Sequence, residues 1–306
     1  MPPLAGYFTG SLVVGVSGAY AYTLWKRPGA LQQNVAMWLA VHLALAMLAT
    51  VSFCRVWLSD GGRVSHEVMN APLMRHTASY FTHRGRHHAV NADRRRNGCR
   101  RFCFRCRHFK PDRAHHCDSC GHCVLAMDHH CVFFGRCVGH ANQKFFFLFL
   151  LYTSLCGISM AITSYKAAFH ALRPSLLFSM SWDESTWLLA LQTALAFVGV
   201  VFAFALALFS LVSGFAPFVL GLTTLEMQEI QGHVRFGQPW CNPYNLDTRC
   251  WAPLRNIKRV MGPSVWLWLL PVRQDTHELA GYCPEINETR IETLRSLSSV
   301  GDSGTR

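Results

Sequence analysis

Residues 103–137 read CFRCRHFKPDRAHHCDSCGHCVLAMDHHCVFFGRC, and the fold turns on how these cysteines and histidines are shared out. Between Cys99 and Cys137 the chain places eight of its thirteen cysteines. Cys103 and Cys106 form one C-x2-C pair, and His116 leads into Cys117, Cys120 and Cys123 at the same spacing. Asp128, His129, His130 and Cys131 then stand together, and Cys137 closes the tract. Cysteines two residues apart suit a tight knuckle around zinc, and a closed zinc site takes four N or S ligands. Cys103, Cys106, His116, Cys117, Cys120, Cys123, His130 and Cys137 supply two such sets, which leaves Cys131 unassigned. Spacing does not choose between sequential and interleaved pairing. A disulfide framework competes with this reading, but a long basic loop beside a membrane belongs to a reducing compartment. A purely structural zinc module is the other competitor.

The flanks of this tract are apolar. Apolar residues make up 51% of the 306 and charged residues only 15%, yet the formal charge is +12. The charges must therefore be segregated. A helical span needs about 20 apolar residues, and four stretches qualify: Leu4–Trp25, Val35–Leu58, Phe145–Leu172 and Thr186–Leu222. The first lacks a basic n-region and reads as a retained anchor rather than a signal peptide. The last is too long for one straight span, and Pro217 is expected to kink its end. Ser59 to Lys144 holds fifteen Lys or Arg, against two in Lys26 to Asn34 and one in Arg173 to Ser185. The positive-inside rule then places the large loop and both termini in the cytosol. The single glycosylation sequon, at Asn287, falls on that side. The run Arg94, Arg95 and Arg96 with Arg100, Arg101, Arg105 and Arg107 faces anionic headgroups, which attract polybasic segments by about 1 kcal/mol per charge. No nucleic-acid partner is expected. No internal repeat or long low-complexity region stands out.

The expected fold class is an all-α polytopic membrane protein. Its four transmembrane helices carry a cytosolic, zinc-stabilised cysteine-rich domain between spans 2 and 3. The expected units are 1–58 for the first two spans, 59–144 for the cysteine-rich domain with its basic linker, 145–222 for the last two spans, and 223–306 for a cytosolic region with a disordered tail.

The tract from Cys103 to Phe145 resembles the cysteine-rich domain of the DHHC protein S-acyltransferases. Lys110, Pro111, Asp112, Arg113, Ala114, His115, His116 and Cys117 match that family's approach to its second cysteine cluster, and Cys137, Gly139, Asn142 and Phe146 continue the pattern. Thr223, Thr224 and Glu226 resemble the family's TTxE motif, although an N-cap with a first-turn glutamate fits the same residues. Asp60, Gly61 and Gly62 resemble its Asp-Pro-Gly. Asn256, Val260 and Gly262 resemble its Asn-centred C-terminal motif, and Trp266 to Leu270 read as an interfacial segment. Two places depart from the family. Val132 and Phe133 replace Pro-Trp after the tetrad, and Gly135 and Arg136 replace two asparagines.

The resemblance implies interleaved zinc sites: Cys103, Cys106, His116 and Cys123 in one, Cys117, Cys120, His130 and Cys137 in the other. It implies a long-chain acyl-CoA donor, an acyl-enzyme thioester on Cys131, and transfer of a fatty acyl group, palmitoyl above all, to cysteines of membrane-proximal proteins. His129 would be the base and Asp128 its orienting carboxylate, because the thiolate is the nucleophile and an imidazole must take the proton. Arg113, Arg136 and Lys144 are the expected contacts to coenzyme A phosphates. The family implies an endomembrane location, Golgi or ER, and leaves room for an accessory subunit. Tyr152, Cys156 and Met160, at helical spacing on the third span, either pack against helices or line an acyl cavity. A zinc-dependent membrane adaptor and a membrane-anchored RING-like ligase are the competing classes. The ligase reading gives no reason for Asp128 and His129 beside an unliganded cysteine.

Overall fold

The computed structural model describes residues 4–26, 35–64, 102–110, 113–171, 184–214, 218, 220–228 and 253–274. Pro111, Asp112, the Arg94 to Arg96 run, Pro217, Asn287 and Cys99, Cys241, Cys250 and Cys283 lie outside the described residues. The protein is mostly helical. Helices α1 (Leu4–Trp25), α2 (Val35–Trp57), α3 (Gln143–Ala171) and α4 (Glu184–Gly214) are each long and apolar enough to cross a membrane. The cysteine-rich region lies between the second and third. A shorter helix, α5 (Pro253–Met261), follows, and a single 3-10 turn, Val265–Leu267, leads away from it.

The third helix is the hub of the bundle. Buried residues make up 72% of its apolar window, against 11%, 22% and 11% for α1, α2 and α4. Tyr152, Cys156 and Met160 are all buried, so their shared face packs inside the bundle. A Cβ on Gly157 would stand 2.3 Å from the Ala203 Cβ and 2.5 Å from the Gly199 carbonyl oxygen. Helices α3 and α4 therefore meet nearly backbone to backbone, as small residues permit in a bilayer. Phe8, Met47, Phe204 and Leu211 keep their side chains exposed on the outer faces.

A belt of polar side chains also crosses the bundle. Tyr20 of α1 hydrogen-bonds Ser164 Oγ at 2.8 Å, the Met160 carbonyl at 3.2 Å, and Thr163. His42 of α2 meets Ser159 Oγ through Nδ1 at 2.9 Å, and Gln192 of α4 donates to Ser164 Oγ at 3.3 Å. All four helices contribute, so polar groups that lipid would leave unsatisfied find partners in one layer.

The cysteine-rich region is a file of three short antiparallel hairpins. They are β1 (Phe102–Cys103) with β2 (His108–Phe109), β3 (His115–Cys117) with β4 (His122–Val124), and β5 (His129–Cys131) with β6 (Arg136–Val138). Their registers coincide: Cys103 pairs with His108, Cys117 with His122, and Cys131 with Arg136, each fourteen residues after the last. The turns coincide too, since Arg107, Gly121 and Gly135 take positive φ of 56°, 71° and 60°. The expectation of no internal repeat is thus corrected. The unit is too short, and its non-ligand residues too varied, for composition to reveal it.

The file is seated on the bundle by a turn after α2. Asp60 Oδ1 accepts from the Gly62 and Arg63 amides at 3.0 and 3.3 Å, a local side-chain turn. Leu125 N donates to Gly62 O, Ala141 N to Gly61 O, and Val64 N to Cys123 O. A Cβ on Gly61, which has φ +74°, would come within 2.6 Å of the Cys137 carbonyl oxygen. Only glycine fits there.

Candidate active site

Side chains alternate faces along a strand. On β5 this puts His130 on one face, opposite Cys137 across the hairpin, and His129 and Cys131 on the other. One strand therefore carries a metal ligand and a separate His–Cys pair, back to back.

The metal-facing side chains gather into two sets, Cys103, Cys106, His116 and Cys123, and Cys117, Cys120, His130 and Cys137. Within each set the ligand atoms all lie within 4.8 Å of one another. His116 Nδ1 stands 3.5, 3.2 and 3.9 Å from the sulfurs of Cys103, Cys106 and Cys123. His130 Nδ1 stands 3.4, 3.4 and 3.7 Å from Cys117, Cys120 and Cys137. Bonds of about 2.0–2.3 Å to a tetrahedral zinc put its ligands roughly 3.3–3.8 Å apart, so both Cys3His sets fit zinc. Asp118 Oδ1 lies 3.6 Å from His116 Nε2, where it orients that ligand. The interleaved pairing that spacing left open is the arrangement found, and Cys131 belongs to neither set.

Cys131 is instead nearly buried in an aromatic wall made by Phe53 of α2, Phe134 of the turn, and Phe146 and Phe149 of α3. The Phe146 ring stands edge-on to His129 at 5.3 Å. His129 Nδ1 bonds Asp128 Oδ2 at 2.8 Å, while Nε2 is buried with no hydrogen-bond partner among the described residues. Burial opposes a charge on this ring. Asp128 and the Cys131 sulfur outweigh burial and lift the pKa to about 9. The ring is therefore well suited to hold a proton taken from its neighbour. Val132 and Phe133, where the chain departs from the family, are 68% and 66% exposed. The change alters the rim of the site, and Thr9 of α1 fixes that rim by donating to the Phe133 carbonyl at 2.9 Å.

Residues far along the chain complete the cluster. Thr224 donates to Asp128 twice, from N to Oδ1 at 2.7 Å and from Oγ1 to Oδ2 at 3.0 Å. Thr223 and Glu226 form a capping box, Glu226 N to Thr223 Oγ1 at 3.3 Å and Thr223 N to Glu226 Oε2 at 2.8 Å. The same Glu226 carboxylate takes a forked pair from Arg113, Nε to Oε1 at 2.9 Å and Nη2 to Oε2 at 3.0 Å. The N-cap with a first-turn glutamate is the geometry found, and the same carboxylate also anchors Arg113. Glu226 is 1% exposed, so Glu226→Gln strands a guanidinium and is expected to destabilise the protein by about 3 kcal/mol. The fall in thermal midpoint of the purified protein measures this, and an unchanged midpoint would remove the pair from the stability of the fold.

The three basic residues expected to meet coenzyme A part company. Arg113 is committed to Glu226 and to the Gly221 carbonyl at 2.9 Å. Lys144 donates to the carbonyls of Leu267 and Val272 at 2.7 and 3.0 Å. Both are held by internal acceptors. Arg136 stands beside the site, paired with Cys131 across the hairpin, with a buried Nε that has no hydrogen-bond partner among the described residues.

Known proteins resemble this chain in the same region. Residues 96–231 match the sequence model of the family described as DHHC palmitoyltransferase. The chain is 35% identical over 195 residues to Palmitoyltransferase PFA3 of Debaryomyces hansenii, covering 58% of this chain and 44% of that protein. It is 33% identical over 181 residues to Palmitoyltransferase ZDHHC15 of Xenopus laevis, covering 58% and 48%. With Probable protein S-acyltransferase 12 of Arabidopsis thaliana it shares 31% identity over 289 residues, 87% of each chain. The chain spans a little under half the length of the first two relatives and most of the third. With 31% identity across 87% of both chains in the third relative and the family model matched over residues 96–231, a chain that carries two interleaved Cys3His sets and the Asp128-His129-His130-Cys131 run belongs to the DHHC palmitoyltransferase family.

Proposed function

We propose that this protein is an S-acyltransferase that takes a long-chain acyl group, palmitoyl foremost, from acyl-CoA onto Cys131 and passes it to a cysteine of a membrane-proximal protein. One observation carries the reading. Cys131 lies outside both metal sets and shares a strand face with His129, whose other nitrogen is held by Asp128. His129 takes the thiol proton, with Asp128 fixing the ring and Thr224 fixing Asp128. The Cys131 thiolate attacks the thioester carbonyl carbon, the bond to the coenzyme A sulfur breaks, and the departing thiolate takes the proton from His129. The substrate thiol then gives its proton to His129, its sulfur attacks the acyl group, and Cys131 is released. Both steps exchange one thioester for another, so neither needs an energy source.

The acyl chain runs along the aromatic wall beneath Cys131, where each methylene kept from water is worth about 0.8 kcal/mol. Arg136 is the basic residue placed to meet the donor's phosphates. Zinc, when bound, supplies rigidity alone, since four protein ligands in each set fill its shell. The chain would sit in the Golgi or ER membrane with the hairpins facing the cytosol.

His129→Ala tests the mechanism. General-base assistance is worth about 10²–10⁴-fold, so loading from alkyne-tagged palmitoyl-CoA should slow by about that factor while zinc content holds. Loading at the parent rate at neutral pH would sink the Asp–His–Cys mechanism.

A further inference from the structure

The segment after α5 sits lower on the bundle than a loop in water needs to. The span ends that adjoin the hairpins are Trp57 of α2 and Gln143 of α3. Met261, the last residue of α5, shares one buried cluster with Ala49 of α2 and with Leu148 and Tyr152 of α3. At the helical rise, Ala49 and Tyr152 lie about 12–14 Å into their spans. The turn that follows is tied to the same stretch of α3. Tyr152 donates to the Leu269 carbonyl, and Lys144, near the start of the helix, donates to those of Leu267 and Val272 at 2.7 and 3.0 Å.

Two properties fit this segment to a bilayer. The first is the direction of its side chains. Trp268 turns inward, its Nε1 donating to the Gly262 carbonyl at 2.8 Å. Trp266 and Leu269 turn outward, 92% and 61% exposed, with Val265 and Leu270 exposed beside them. Large apolar side chains exposed together mark a contact surface, and these continue the lipid-facing side of the spans at a depth where tryptophan is favoured. The second property is the backbone. Gln274 Nε2 donates to the Met261 and Ser264 carbonyls at 3.0 and 2.9 Å, while Ser264 N donates to Gln274 Oε1 at 2.8 Å. With Lys144, Tyr152 and Trp268, side chains thus serve six carbonyls between Met261 and Val272. Water would satisfy such carbonyls unaided. Irregular backbone at bilayer depth has to be satisfied by the protein.

We infer that residues 265–270 are immersed in the bilayer that the spans cross, with Val265, Trp266, Leu269 and Leu270 against phospholipid acyl chains just below the headgroups. The segment after α5 is then a re-entrant prop on α2 and α3. Immersion of the turn does not depend on acyl transfer, so its test stands apart from that of the reaction. Full-length protein carrying p-benzoylphenylalanine in place of Trp266 or of Leu269 is assembled in phosphatidylcholine nanodiscs, irradiated and digested, and its peptides are weighed. Both side chains are exposed, so the exchange leaves the packing alone. Each position should gain one phospholipid, bonded through an acyl-chain carbon, as the same probe should at the exposed Phe204 of α4. The probe at Arg107, exposed on the first hairpin, should gain none. Zinc content reports folding, and one folded variant of the two decides. A lipid yield no higher than at Arg107, bonds to the choline headgroup alone, or bonds to peptides of this chain or of a second copy instead of lipid overturn the inference.

Discussion

Cys131→Ser protein incubated with tagged palmitoyl-CoA should carry no hydroxylamine-sensitive label, while its zinc content matches the parent. Both halves follow from position. Cys131 is absent from either Cys3His set, so its loss removes no ligand. It is the cysteine paired with a His–Asp unit, and the thiolate is what attacks. A serine hydroxyl stays protonated beside the same imidazole, and any oxyester it formed would not exchange onward under mild conditions. Label retained on another thiol, such as Cys54 or Cys156, would move the acceptor. Zinc lost in proportion would make Cys131 a ligand and end the proposal.

Cys120→Ala should silence the protein without touching the proposed acceptor. The hairpins are two or three residues to a strand, and isolated hairpins of that kind are marginal in water. Binding of a structural zinc contributes about 10–16 kcal/mol to folding in small modules, far more than these strands supply. With one ligand gone, elemental analysis should fall from about two zincs per chain to about one. Proteolysis should then open residues 117–137, and loading should drop with it, because His130 and Cys131 share β5. Full loading at one zinc per chain would show that the strand keeps its shape without the second metal.

Ligands and spans were legible in the sequence because their signals are local. A C-x2-C pair or twenty apolar residues in a row carry their own meaning. Long-range pairings were not. Nothing near Asp128 announces that Thr224, ninety-six residues on, will hold its carboxylate. Charge is a property of a side chain, but its partner is a property of the fold. Arg113 and Lys144 therefore read as phosphate contacts until Glu226 and two carbonyls were seen to occupy them. The belt around Tyr20 and His42 is similarly scattered over four helices, with no spacing to mark it.

The file of hairpins also bears on why Cys131 stays outside the metal sets. Each metal set joins the turn of one hairpin to the strands of the next: Cys103 and Cys106 to His116 and Cys123, then Cys117 and Cys120 to His130 and Cys137. The third turn begins the same figure with Cys131, but Phe134 stands in the place of Cys106 and Cys120, and α3 follows where a fourth hairpin would be needed. The Phe134 ring stacks on Phe53 at 5.0 Å, so the turn docks on the helices rather than on a metal. If the units descend from duplication of a fourteen-residue ancestor, the proposed acceptor is a ligand orphaned where the series stops. Its reactivity then comes from an interruption, a knuckle left half built at the bilayer.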